Sequence, residues 1–435
     1  MPAARRTLLL LSMLSALSYM DRQILAVLLG PVKAEFGLAD LQVGLVASVG
    51  FALSFALIAL PLGHWADRHN RRTLVAWSRG LGGALAMLGA AAAGAWTLAA
   101  TRAGGAVSEA GGGPASMSMI ADLYPPHQRS SAMSVFSMSA SVGSLLALVG
   151  GAWLAQHHGW RVTLAVVGGS TLVMAVLLRW MAQEPMRGAF ASTAALSAPA
   201  LPGLAAVRAI WQQPVARWLM VAGSFALLSG YSFGTWNYTY LVRHHGLSLQ
   251  GAGAVSGLAA VGSVVGSLVA GALTDRLVRR DLRWQVGVPL LGVGLALPAG
   301  WVYLLVEPGQ LVPAALLVVA FAFFISWWVA PTYAALSLVV PAQRRATANA
   351  LLLLAGAVLG SGVGPVLTGA LSDGLARWVG ADALGWALAG VLGLLAGAAL
   401  AFYRAMSRYP SARDDAQSHI SRDPIPNSLD KEAPA

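Results

Sequence analysis

Four ionisable residues sit where the surrounding sequence makes a charge costly. Asp21 and Arg22 lie inside one long apolar run, Arg102 and Glu109 inside another. A charge in hydrocarbon costs at least about 2.5–3.5 kcal/mol, so it turns to the protein interior and takes a partner. Two carboxylates and two guanidinium groups can neutralise one another. Desolvation raises a buried carboxylate's affinity for a proton, and a nearby guanidinium lowers it. Exchanging that partner, or admitting water, would load or unload a proton. Glu109 is the first candidate carrier because it lies deepest, Asp21 is the second, and Arg22 and Arg102 are the cations that tune them. The competing explanation is a static ion-pair network that only fixes helix packing. Such networks are seldom better stabilisers than apolar packing, which favours a functional set.

The elements that must position these groups follow from composition. The chain has 435 residues, of which 57% are hydrophobic and 10% charged, with 49 Gly and no Cys. Mean hydropathy is +0.67. A soluble domain carries about 25% charged residues, so lipid is the expected solvent for most of this chain. The absence of Cys excludes a disulfide scaffold, thiol catalysis and Cys-ligated metals. A helical crossing needs about 20 apolar residues. Twelve are predicted, at 7–30, 42–64, 73–94, 97–119, 130–155, 161–182, 216–242, 251–273, 285–306, 312–338, 346–370 and 384–405. The first run is too long for a signal peptide and is expected to stay as a helix.

The expected fold is therefore an all-α membrane protein of twelve transmembrane helices in two six-helix halves, 1–182 and 216–406. Residues 183–215, with Pro185, Pro199, Pro202 and Pro214, are read as a cytoplasmic linker, and the polar stretch 407–435 as a disordered cytoplasmic tail.

The net charge of +11 does not point to nucleic acid. With the N-terminus in the cytoplasm, inside segments and adjoining helix ends hold 22 Arg and Lys, Arg79 among them, against four outside. That is the positive-inside pattern, so the expected partner is the bilayer, with both termini cytoplasmic. A preponderance of Arg over Lys fits a GC-rich bacterial genome, hence a bacterial inner membrane.

Depth follows at 1.5 Å per residue. Arg102 lies about 8 Å and Glu109 about 18 Å below the outer face, and Asp21 about 9 Å below it in a core about 30 Å thick. Asp21 and Arg102 thus share a level and can pair. Arg22 points about 100° away from Asp21 and is free to reach Glu109.

The architecture carries a repeat. Residues 63–72 read GHWADRHNRR and residues 271–280 read GALTDRLVRR, both G-x-x-x-D-R-x-x-R-R at an offset of 208. P-x-Q-R recurs at 126–129 and 341–344. The chain is read as two homologous halves of parallel topology, an arrangement found in transporters.

This loop motif, present twice in register, resembles the signature of the major facilitator superfamily. Tyr19-Met20-Asp21-Arg22, Arg102, Ser108-Glu109-Ala110, IADLYPPHQR at 120–129, Asp275-Arg276 and GSGVGPVLTG at 360–369 resemble its Spinster-like branch. Ser108 stands where that branch usually has Gly. The resemblance implies a secondary active transporter working by alternating access. It would be proton-coupled and would move an amphipathic small molecule or lysolipid-like substrate. The alternative is a proton-coupled symporter of a small organic anion such as a sugar acid, because organic-anion symporters share the helix 1 Asp-Arg.

The resemblance also implies roles for the loops. Gly63, Asp67, Arg68, Arg71 and Arg72, mirrored by Gly271, Asp275 and Arg276, would form gates, with Asp67 capping a helix of the other half in the outward-facing state. Positive-inside anchoring alone would account for Arg71 and Arg72. Tyr231, Trp236, Asn237, Tyr238, Trp327 and Tyr333, with Tyr19 opposite, are the candidate cavity aromatics and amide. No metal site, no cofactor beyond the proton as coupling ion, and a monomer are expected. An enzyme is not: no His precedes a Glu, and neither Lys33 nor Lys431 sits in a phosphate-binding loop.

Overall fold

In lipid, a backbone satisfies its polar groups only by closing hydrogen bonds on itself, so apolar runs become helices. The computed structural model describes the backbone of residues 2–187, 203–340 and 345–422, and helices carry nearly all of it. The first half contains α1 (Pro2–Phe36), α2 (Asp40–Arg68) and α3 (Arg71–Gly89). Next is α4, which runs as Ala95–Thr101 and, after an offset at Arg102, Ala103–Leu123. The rod α5 begins as Pro126–Leu145 and widens into a π-helical turn, Leu146–Gly151. It continues into Ala152–Met181, which breaks at Gly159 (φ 79°); the part beyond the break is α6. A left-handed φ of this kind is open to Gly without the Cβ clash other residues suffer.

The second half contains α7 (Pro214–His245), α8 (Leu249–Val278) and α9 (Trp284–Leu304). It continues with α10, formed by Leu311–Ile325, the 3-10 turn Ser326–Trp328 and Val329–Val339. Then α11 runs as Arg345–Ala355, the π turn Gly356–Val363 and Gly364–Val379, and α12 is Ala383–Arg422. Each predicted span overlaps one of these helices, although 73–94 outruns α3, which ends at Gly89.

By length and composition alone, five stretches among the described residues could cross a membrane: Ser131–Met181, Leu249–Val278, Trp284–Leu304, Leu311–Val339 and Thr347–Asp414. Two of these are long enough for more than one crossing. The helices α1 and α4 fall short of that measure because they carry the four internal charges, and α4 is also rich in Gly and Ser. Exposed tryptophans mark two belts. Trp65, Trp77 and Trp180 lie toward the Arg-rich face, and Trp96, Trp153, Trp301, Trp378 and Trp386 toward the Arg-poor one. Amphipathic rings collect at the two membrane–water boundaries.

The halves meet along two seams, α2 against α11 and α5 against α8. Both depend on close backbone approach. A Cβ on Gly44 would come within 3.0 Å of the Val366 Cα, and one on Gly253 within 2.7 Å of the Ala152 Cβ. Small residues at such crossings let helices pack where lipid supplies no hydrophobic drive.

Two boundaries differ from the sequence reading. Residues 407–422, expected as disordered tail, are helical. Phe402, Ala405 and Tyr409 are buried at helical spacing, so the apolar stripe of α12 outlasts its membrane-like composition. Residues 423–435 lie outside those described. Within the linker, Glu184 and Pro185 dock on Arg71, and a short helix, Gly203–Gln212, buries Ile210.

Candidate functional site

The four internal charges form two pairs that differ in one respect, contact with water. Arg102, at the offset in α4, donates from Nη1 to Asp21 Oδ1 (3.0 Å) and from Nη2 to Oδ2 (3.2 Å) and the Asp21 carbonyl (2.8 Å). Their side chains are only 6% and 7% exposed. Arg22 donates from Nη1 to both carboxylate oxygens of Glu109, at 2.8 and 2.7 Å. Here the carboxylate side chain is 33% exposed and the guanidinium 18%. Asp21 with Arg102 is a sealed lock between α1 and α4, and Arg22 with Glu109 is the wet pair. One residue before Glu109, Ser108 donates to the Ser18 hydroxyl (3.1 Å), adding a tie between α4 and α1 that a Gly could not make.

The wet pair also touches the other half. Arg22 Nη2 donates to the Tyr231 hydroxyl of α7 at 3.3 Å. The Arg22 guanidinium carbon lies 4.7 Å from the Phe51 ring centroid and 5.6 Å from that of Tyr231. Tyr231 is seated by Gly360 in the π turn of α11, where a Cβ would sit 2.6 Å from the ring. Turns of this type inside helices often mark functional sites.

On the Arg-poor side the cavity is closed by a cluster that the sequence reading missed. Asp40, just before the span that starts at 42, accepts hydrogen bonds from Lys33 (2.5 Å), from both Nη atoms of Arg243 (2.8 Å each) and from Ser372 (2.8 Å). In return, the Asp373 carboxylate of α11 accepts from the backbone N–H groups of Asp40 (3.0 Å) and Leu41 (2.7 Å), capping α2 from the opposite half. An anion at a helix N-terminus satisfies orphan donors and complements the dipole. Burial pushes the Asp40 pKa up, but hydrogen bonds from Arg243 and Lys33 outweigh it and hold it at about 2. The available signal was that Lys33 and Arg243 are two of only four basic residues assigned outside.

At the Arg-rich face the described hydrogen bonds run within each half. Arg71, only 2% exposed, donates to Asp122 (2.6 Å) at the end of α4, Glu184 (3.0 Å) beyond α6, Ser118 (2.9 Å) and the Pro185 carbonyl (2.9 Å). The Arg72 N–H donates to Glu184 at 2.6 Å. Arg71 and Arg72 are thus clamps inside the first half, neither simple anchors nor links to the second. Arg71→Ala would strand two carboxylates, and losing one partner of a buried pair costs about 3–5 kcal/mol. Thermal unfolding of the purified variant is expected at a clearly lower midpoint, and an unchanged midpoint would contradict the clamp. Asp275 and Arg276 are exposed and make no hydrogen bond among the described residues, and Arg68 is exposed as well. The side chains of Gly63 and Asp67 lie outside those described.

The Arg-poor side is bolted, while Glu109, in the expected cavity, keeps a third of its side chain exposed. Of the cavity's expected lining, Tyr19, Tyr231 and Tyr333 keep partial exposure. Four others are packed away instead. Trp236 is fully buried and donates to the Pro365 carbonyl (2.9 Å). Asn237 accepts from the Tyr303 hydroxyl (2.7 Å), Tyr238 donates to the Leu249 carbonyl, and Trp327 packs edge-on to Phe323 and Phe324. The polar handles of the first three find partners on neighbouring helices, and Trp327 is buried against Ala270 of α8 and Val288 of α9, contacts a cavity wall would not supply.

Two helical halves sealed on one side, around a wet charged pair at mid-depth, have the build of a membrane transporter. Residues 11–356 match the family model of the Major Facilitator Superfamily, and the chain belongs to that superfamily, in its Spinster-like branch. It is 33% identical over 386 residues to an MFS-type efflux pump of Mycolicibacterium smegmatis, covering 87% of this chain and 86% of that one. It is 26% identical over 387 residues to protein spinster homolog 1 of Xenopus tropicalis, covering 84% and 72% respectively. A solved bacterial homologue of the human lysosomal transporter Spinster, inward-facing and unoccupied, superposes with a TM-score of 0.85 at 26% identity, over 95% of this chain and 98% of that one. The protein is a transporter, not an enzyme.

Proposed function

We propose that the protein is a proton-coupled secondary transporter that moves an amphipathic or lysolipid-like substrate by alternating access. The observation that carries this reading is the Arg22–Glu109 pair, in which Arg22 Nη1 reaches both oxygens of a carboxylate that is a third exposed while Nη2 donates to Tyr231 in the other half. Protonating Glu109 removes the charge that holds Arg22. The freed guanidinium keeps its second contact, the Tyr231 hydroxyl, and becomes available to substrate. Loading a proton thus changes how the halves are joined at the cavity. Asp21 has the second carboxylate but stays sealed against both Nη atoms of Arg102, which makes it a fastener between α1 and α4 in this conformation.

The Arg-rich face is cytoplasmic on the positive-inside rule, so the conformation is inward-open, in a bacterial inner membrane, with the protein acting as a monomer. Exposed Asp275 and Arg276 are then disengaged gates, and Asp67 is their counterpart in the first half, engaging when the cytoplasmic side closes. An apolar α10 facing a charged first half suits a substrate with a tail and a polar head.

The test is proton movement in proteoliposomes carrying an internal pH dye. Adding a lysophospholipid is expected to change the dye signal, and adding a sugar acid is expected to leave it flat. A response to the sugar acid alone would replace this reading with organic-anion symport.

A further inference from the structure

Arg79 is a buried cation with no ion-pair partner among the described residues. It was counted with the inside helix ends, but it sits eight residues into α3, about 12 Å along the axis, and is 3% exposed. No hydrogen bond or ion pair of Arg79 is found among the described residues, and its Nε is sealed from solvent with no partner. The other internal charges cancel, Asp21 against Arg102 and Glu109 against Arg22. Among the described residues Arg79 is therefore left as a positive charge within the membrane with no ion-pair partner of its own, a costly arrangement unless something neutralises it.

The sequence makes room for this side chain. In α4, Gly111 and Gly112 face α3, and a Cβ on Gly112 would sit 2.9 Å from both the Arg79 Cγ and Cζ. The guanidinium thus lies in a slot that only Gly leaves open. Gly112 and Glu109 are three apart, so the slot is one turn below Glu109 on the same face of α4. The Glu109 carboxylate and the neutral Tyr19 hydroxyl of α1 both lie within electrostatic reach of Arg79. Glu109 is already held bidentately by Arg22, which leaves Arg79 as the unspent cation at the cavity edge.

We propose that Arg79 anchors the anionic group of the transported substrate, a phosphate ester or a carboxylate, between α1, α3 and α4, one turn on the Arg-rich side of Glu109. A planar guanidinium presents paired donors that match either oxyanion, and the Tyr19 hydroxyl can add a third. The substrate's apolar part then extends toward α7 and α10. This deepens the transporter reading and rests on it for the place of the cavity, but not on proton coupling.

The test is binding to the full-length protein in nanodiscs of neutral lipid. The probes are lysophosphatidic acid, a monoacylglycerol of the same chain length, and gluconate. The variants are Arg79→Met, which keeps length and removes charge, and Arg79→Lys. The wild type is expected to bind lysophosphatidic acid more tightly than monoacylglycerol. Arg79→Met should weaken the anionic lipid by about tenfold or more, the effect of one charged contact, and leave the neutral lipid unchanged. Arg79→Lys should restore part of the loss. Gluconate binding that depends on Arg79 would assign the same site to a free carboxylate. Because the cation is unpaired, Arg79→Met should unfold no lower than the wild type. Equal loss for both lipids, a lower unfolding temperature, or no anionic preference in the wild type would overturn the proposal. If the anionic preference holds while no proton moves, coupling fails and the anchor stands.

Discussion

Glu109→Gln is expected to reduce substrate-driven proton movement by at least about tenfold, the scale set by losing a positioned acid–base group, while substrate exchange between equal pools continues. Gln keeps the shape and one acceptor oxygen, so Arg22 retains a hydrogen bond and Tyr231 retains its donor. What is lost is the group that binds and releases the proton. A static role would give the opposite pattern, with exchange and stability falling together and any residual flux still moving protons. The two readouts, in the same vesicles, therefore separate a proton carrier from a packing element. Asp21→Asn should behave as a structural lesion, because its carboxylate is sealed and accepts two hydrogen bonds from Arg102.

The second large effect is expected at the Arg-poor face. Asp40→Asn removes the charge that faces Lys33 in its own half and Arg243 across the seam between halves. Both cations are about a third exposed, so the low end of the range for a broken buried pair applies, about 3 kcal/mol. Charged against the closed state alone, that shifts the open-to-closed ratio by roughly 100-fold. The chain has no Cys, so a single cysteine at Ser18 can report access from the Arg-poor side to an impermeant reagent. Labelling should rise sharply in the Asp40→Asn background, and an unchanged rate would sink the bolt. Acid should act the same way. The Asp40 pKa falls from 3.8 to about 2 in the folded protein, so its contribution is complete above about pH 4 and is lost as pH drops through about 2. Closure is therefore expected to ignore pH through the neutral range, which keeps gate effects apart from coupling effects.

Much of this is legible in the sequence. Run length located the helices because lipid leaves a chain few alternatives. Depth at 1.5 Å per residue put Asp21 level with Arg102 and left Arg22 for Glu109, and the structure places those partners together. The faces of helices were harder. The helix α10 is apolar nearly all round, so no polar stripe marks which side meets water. Trp236, Asn237, Tyr238 and Trp327 were placed on the cavity by residue type, whereas packing holds them between helices. The Asp40 cluster depends on two halves meeting, and nothing in either segment alone announces a partner more than 200 residues away. Arg79 was masked by its position near a helix start, where an Arg reads as an anchor. Only the Gly112 slot shows that it turns inward.

The central claim is that proton movement and substrate movement are one process. Its most direct measurement is the uptake of labelled lysophospholipid into proteoliposomes under an imposed pH gradient, with no initial gradient of label. The account predicts that a gradient of one sign drives the label above equilibrium, that a protonophore collapses the excess, and that Glu109→Gln never develops it. Label that settles at the same level with a gradient of either sign, with none, or with protonophore would contradict it.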